Sequence, residues 1–110
     1  MYKVRATYLP RPDMQFDLEY YFRVHVPLAK EQAAGRLNIV KLEVETGCTA
    51  LMDPTEELSP CVFCIYFKDH EDVETFRRFM AGPGTDPMRA DVPRYTNCEL
   101  EWSVCEVREV

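Results

Sequence analysis

Long apolar runs are missing from this sequence. No stretch of about 18 hydrophobic residues occurs, so no membrane span is expected among its 110 positions. The first residues, Met1-Tyr2-Lys3-Val4-Arg5, carry charge where a secretory leader needs an apolar core, which predicts a cytoplasmic protein. Basic residues are the minority, with Lys+Arg 13 against Asp+Glu 19 and a formal net charge of -6. Without a basic block, neither nucleic acid nor an anionic membrane is an expected partner. The glycine-rich G-x-G-x-x-G and Walker loops are absent, as is G-x-S-x-G, so no cofactor is assigned by motif. A second C-x-x-C or a histidine pair is also lacking. Cys61 and Cys64 stand three apart in a strand-like run and point to opposite faces, so no metal site is expected. The five cysteines are odd in number and lack an export signal. Four of them lie in apolar context, where a reduced thiol packs as a small hydrophobe.

What is present describes an ordinary globular chain, 46% hydrophobic and 29% charged. Residues 1–110 are read as a single domain, long enough to bury roughly 65% of the unfolded surface. Tyr2, Val4, Ala6 and Tyr8 alternate with Lys3, Arg5 and Thr7, a strand ended by Pro10 and Pro12. Asp17 suits an N-cap, and Phe16 before it can staple against Tyr21. Leu18, Tyr21, Phe22 and His25 then define one helical face, in a helix expected to run to about Ala34 and stop at Gly35.

Alternation returns from Leu37 to about Glu45, and Gly47 marks a bulge or the strand's end. The segment from Asp53-Pro54 to Pro60 reads as a solvated loop. The run Cys61 to Phe67 is apolar at every position and reads as a third strand. Asp69 can cap a second helix that turns Val73, Phe76 and Met80 inward and closes at Gly82-Pro83-Gly84. A polar, proline-bearing connection (residues 83–96) precedes a final strand near Cys98 to Val104.

The order β-α-β-β-α-β predicts an α+β, ferredoxin-like fold: an antiparallel sheet in the order 4-1-3-2 with both helices on one face. The third strand is apolar on both sides, with Phe63, Ile65 and Phe67 on one and Val62, Cys64 and Tyr66 on the other. Burial of both faces calls for a cover on the helix-free side. A second copy of the sheet supplies one, predicting a homodimeric α/β barrel paired through its sheet faces. Lys3 and Arg5 are expected to pair with Glu99 and Glu101 across neighbouring strands. Such an interior suits a small aromatic or oxygenated ligand.

Of the two histidines, His70 lies in a polar helix start and reads as solvated. His25 lies on the apolar helix face, two residues before Pro27, whose ring and missing N–H loosen the helix there. An imidazole beside irregular backbone can exchange a proton near neutral pH. The same spacing fits a core histidine bonded to a freed carbonyl, and the residues alone leave both readings open. Tyr20, Tyr21, Tyr66 and Tyr95 are candidate donors to a ligand oxygen, or core residues. Tyr95 is favoured because its loop, Val92 to Asn97, can close a cavity mouth.

The string Phe16-Asp17-Leu18-Glu19-Tyr20-Tyr21-Phe22-Arg23-Val24-His25-Val26-Pro27-Leu28 reads F-D-x-x-Y-Y-x-x-x-H-x-P-L. It resembles the EthD family of small dimeric α/β-barrel proteins, named for ethyl tert-butyl ether degradation. Ile65 to Asp69 and Asp91 to Asn97 are similar to that family's third strand and pre-terminal loop. The resemblance implies a cavity between helices and sheet with His25 near it; Tyr21, Tyr66 and Tyr95 are the expected substrate contacts. It also implies oxidative or aromatic metabolism, as in ether degradation or polyketide tailoring, beside a possible partner oxygenase and under an oxidoreductase label. His25 would be the acid or base of a cofactor-independent enzyme. The alternatives are a non-catalytic carrier of a hydrophobic intermediate, and a haem protein with His25 as axial ligand.

Overall fold

Strict alternation makes β1 (Tyr2–Tyr8) a two-faced strand: Val4, Ala6 and Tyr8 are buried beneath the helices, while Lys3, Arg5 and Thr7 face the other way. In the computed structural model, which describes residues 1–110, β1 lies beside β3 (Asp53–Phe67) and β4 (Leu100–Glu106), with β2 (Lys41–Ala50) outside β3. The sheet order is β2-β3-β1-β4, antiparallel throughout, as the sequence predicts. One core cluster joins Val4, Ile65 and Phe67 to Val73 and Phe76. A second joins Tyr8, Tyr21, Cys61, Tyr95 and Cys98.

The first helix comes in three pieces: α1 (Leu18–Tyr20), a π turn (Tyr21–His25) and α2 (Val26–Ala33). Asp17 caps it, its carboxylate accepting the Tyr20 N–H at 3.0 Å. Phe16 packs on Tyr21 at 5.5 Å between ring centroids, the expected staple. The Val26 N–H reaches back to the Tyr21 carbonyl, five residues earlier. Gly35, at φ 74°, adopts the left-handed conformation that stops the helix.

Three expectations need correction. Asp53 to Pro60 is not a loop but the first half of β3, paired with β2 in a hairpin that turns at Leu51-Met52. β3 pairs there on one side only, so Pro54 and Pro60 sacrifice no ladder bond on the open side. Gly47, at φ 61°, does not end β2; the register shifts just beyond it, at Cys48/Thr49 and Thr49/Ala50.

Second, Lys3 and Arg5 do not pair with Glu99 and Glu101. The register sets Thr7 opposite Glu101 and Arg5 opposite Ser103, and both cations turn to Glu45 at 3.6 and 3.0 Å. Their side chains reach toward Glu45 across β3, where the Cys64 thiol also points to the Glu45 carboxylate at 3.7 Å. Cys64 and Val62 are consequently buried within one chain, and their burial alone does not call for a second.

Third, the polar, proline-bearing connection after α3 (His70–Ala81) adds short helices to the two expected. It forms a 3-10 turn (Pro83–Thr85), α4 (Asp86–Asp91) and another 3-10 turn (Val92–Arg94). Pro83, Pro87 and Pro93 each open one of these turns, where the missing N–H costs nothing. Asp69 stands at the N-cap of α3 in extended backbone, but its carbonyl, not its carboxylate, accepts the Asp72 N–H at 3.1 Å. Cys61, Cys64 and Cys98 are buried thiols, Cys48 is half-buried, and Cys105 is exposed.

Candidate functional site

A cavity of about 140 Å³ lies between the helix layer and the sheet, and 18 of the 22 residues lining it are hydrophobic. The sheet supplies its floor through Ala6, Tyr8, Phe63, Ile65 and Trp102. The first helix, α3 and α4 supply its walls. An empty apolar cavity of this size accommodates a single aromatic ring.

His25 lines this cavity from the end of the π turn and is itself buried. The turn carries an extra residue, which rotates the helix so that Tyr21 and His25 share the cavity with Val26, Ala29, Lys30 and Ala33. On the far side of the ring, Nδ1 sits 3.1 Å from Oδ2 of Asp91, another buried residue. The Tyr20 hydroxyl donates to Oδ1 of the same carboxylate at 2.6 Å. The imidazole also stacks on Tyr21 at 5.6 Å and tilts against Tyr95 at 4.6 Å.

Burial pushes the His25 pKa below its ordinary 6.5, against the raising effects of the Asp91 hydrogen bond and charge. The ring is therefore neutral at pH 7. An ionised carboxylate only accepts, so the proton belongs on Nδ1. Nε2 bonds to no protein group and is not sealed from solvent. It is thus the ring's free acceptor. A neutral imidazole held in one tautomer at an apolar wall has the chemistry of a general base.

The tyrosines divide. Tyr21 lines the cavity and is buried, with its hydroxyl set against Tyr8 and the Cys61 thiol, whose pKa burial pushes up to about 12. Tyr95 lies behind the cavity, not at its mouth: its hydroxyl shares a 2.5 Å hydrogen bond with that of Tyr8, and its ring supports His25. Burial raises the pKa of Tyr8, Tyr21 and Tyr95, which keeps them protonated. Tyr66 takes no part in this cavity. Strand alternation turns it to the helix-free face, where it donates to Glu43 at 2.7 Å and Lys41 lies 4.6 Å from its ring centre. His70 is exposed, 3.6 Å from Glu74.

Nothing in the sequence alone marks Asp91 or Tyr8 as a site residue. Asp91 falls in a proline-bearing stretch that reads as a breaker; its only local signal was its position just before the Val92–Asn97 loop. Cys61 joins the cluster under the helices while Cys64 faces Glu45, so the two thiols cannot share one ion.

The fold and cavity define a ferredoxin-like α+β domain with an apolar chamber beneath its helices. Among solved structures, an EthD-like protein from Ralstonia eutropha matches at a TM-score of 0.77 with 20% identity, over 96% of this chain and 89% of that one. An ethyl tert-butyl ether degradation (EthD) family protein from Bacillus halodurans matches at 0.64 with 20% identity, over 98% and 99%. SnoaB, a cofactor-independent oxygenase from Streptomyces nogalater, matches at 0.55 with 16% identity, over 99% and 92%. A dimeric protein of ferredoxin-like fold from Bacteroides fragilis matches at 0.54 with 17% identity, over 96% and 95%. The chain has the fold of the EthD-like proteins. No family model and no curated protein matches the sequence.

Proposed function

We propose that the protein is a small cofactor-independent enzyme of oxidative or aromatic metabolism, in which Nε2 of His25 removes a proton from a small apolar oxygenated substrate. The observation that carries this reading is the Tyr20–Asp91–His25 chain, which leaves one bare nitrogen at the wall of a single-ring cavity. The proton leaves a phenolic O–H, or a C–H beside a carbonyl, and its electron pair stays on the substrate as phenolate or enolate. The hydroxyls of Tyr8, Tyr20, Tyr21 and Tyr95 are taken up by one another, by Asp91 and by Cys61, so these tyrosines hold the His25 ring and shape the wall. The likeness to an EthD family protein and to a cofactor-independent oxygenase supports the metabolic setting.

Two chains pair through the helix-free sheet face in this reading. Support comes from the dimeric neighbour of ferredoxin-like fold and from the hairpin tip, where Leu51 and Met52 stand 94% and 91% exposed.

Phenylacetone in D2O, with NMR detection of deuterium at its benzylic carbon, tests the proton transfer. The protein accelerates exchange, and His25→Gln loses roughly 10²–10⁴-fold of that acceleration. Equal rates for the two proteins overturn the assignment. They would favour the second reading, a carrier that shelters a hydrophobic intermediate for a partner oxygenase, which the almost wholly hydrocarbon lining also suits. A carrier's affinity for phenylacetone would be unchanged between about pH 5.5 and 7.5, where a histidine base titrates.

A further inference from the structure

We infer that the natural ligand of this cavity is an anionic arene: a single ring with an acidic hydrogen toward His25 and a carboxylate or similar anion at the mouth, between Lys30 and Arg89. The inference rests on the cavity and base proposed above and adds the substrate's charge.

The chain as a whole is acidic, at a net -6, yet no Asp or Glu lines the cavity. The two permanently charged residues in its lining are both cations, Lys30 on α2 and Arg89 on α4. Both are exposed at their heads, as a mouth requires, while the hydrocarbon of each stem continues the apolar wall. Lys30 has no carboxylate within salt-bridge distance. Arg89 has one at 3.5 Å, Asp86, and also donates to the Met80 carbonyl. A third cation, Arg36, lies 6.0 Å from the ring centre of Phe79, which lines the same cavity. Cations gathered against the average charge of the protein select for an anion.

Spacing points the same way. His25 and Lys30 are five residues apart, about 7.5 Å along the helix axis, which one para-substituted ring spans. Both residues line the cavity: His25 ends the π turn, and Lys30 follows on α2 in the stripe with Val26, Ala29 and Ala33. The neutral phenylacetone of the exchange assay therefore reports the base without the anion site.

Trp102 is the single tryptophan and lines the cavity, so its fluorescence reports binding directly. The probes are 4-hydroxybenzoate and its neutral counterpart 4-hydroxybenzamide, titrated at pH 7 in low salt. Two exposed cations give a preference for the benzoate of roughly three- to tenfold, fading in about 0.5 M salt. In the Lys30→Met, Arg89→Met double variant that ratio falls toward one. Equal affinity of the two probes in the wild type overturns the anionic assignment and leaves the exchange result standing. A preference for the benzoate that persists in the double variant also overturns it. If neither probe binds, the inference fails, and phenylacetone exchange then decides separately whether the base reading survives.

Discussion

Asp91 decides which nitrogen of His25 carries the proton. Replacing it with Asn keeps the size but offers an amide N–H to Nδ1, which favours the opposite tautomer and removes the bare acceptor from the cavity. Asp91→Asn therefore lowers phenylacetone exchange by roughly 10²–10⁴-fold, with the tautomer visible by NMR; a rate near wild type would remove Asp91 as a positioning residue. Burial of His25 also makes stability depend on pH. Its folded pKa lies below the unfolded 6.5, so above that value neither state is protonated and nothing is lost. As pH falls through 6.5 toward the folded value, the unfolded chain takes up the proton first and stability drops. Wild type should lose more in Tm between pH 7.5 and 5 than His25→Gln does; parallel losses would contradict the direction assigned here. At this scale the sequence identified His25 and Tyr21, because apolar spacing and Pro27 are local signals. It could not identify Asp91, whose partnership spans 66 positions and whose own neighbourhood carries no period.

Elements carry the next layer. A π turn between two short α segments sets the stripe of Val26, Ala29, Lys30 and Ala33 on the cavity. The loosening was legible from Pro27, but its form was not, since no residue type encodes a five-residue hydrogen bond. The helix ends were fully legible. Asp17→Ala removes the cap on Tyr20 and costs about 1 kcal/mol. Gly35→Ala places a Cβ at φ 74° in open space, so the backbone strain of about 1–2 kcal/mol is not compounded by a clash. Urea midpoints check both; an unchanged midpoint for Gly35→Ala would mean that the turn relaxes. The hairpin stands where a loop is expected for a physical reason as well. Pro54 and Pro60 signal a loop, yet a strand paired on one side tolerates them.

At the scale of the molecule, strand order and helix placement followed from the alternation of periods. Val62 and Cys64 are already buried in one chain, so the two-sided apolarity of β3 does not by itself require a second. What remains is the exposed hairpin tip and a helix-free face of opposed charges. Sedimentation at micromolar concentration should give twice the 12.9 kDa chain mass, and a stable monomer would exclude the barrel. The cavity lies within one subunit, so the base does not depend on that result. Its most direct test is the imidazole itself. Long-range proton–nitrogen spectra of the two histidines, assigned with His25→Gln, should show His25 neutral at pH 7, with its proton on Nδ1 and a titration midpoint below 6.5. An imidazolium at pH 7, or a proton on Nε2, would contradict the account.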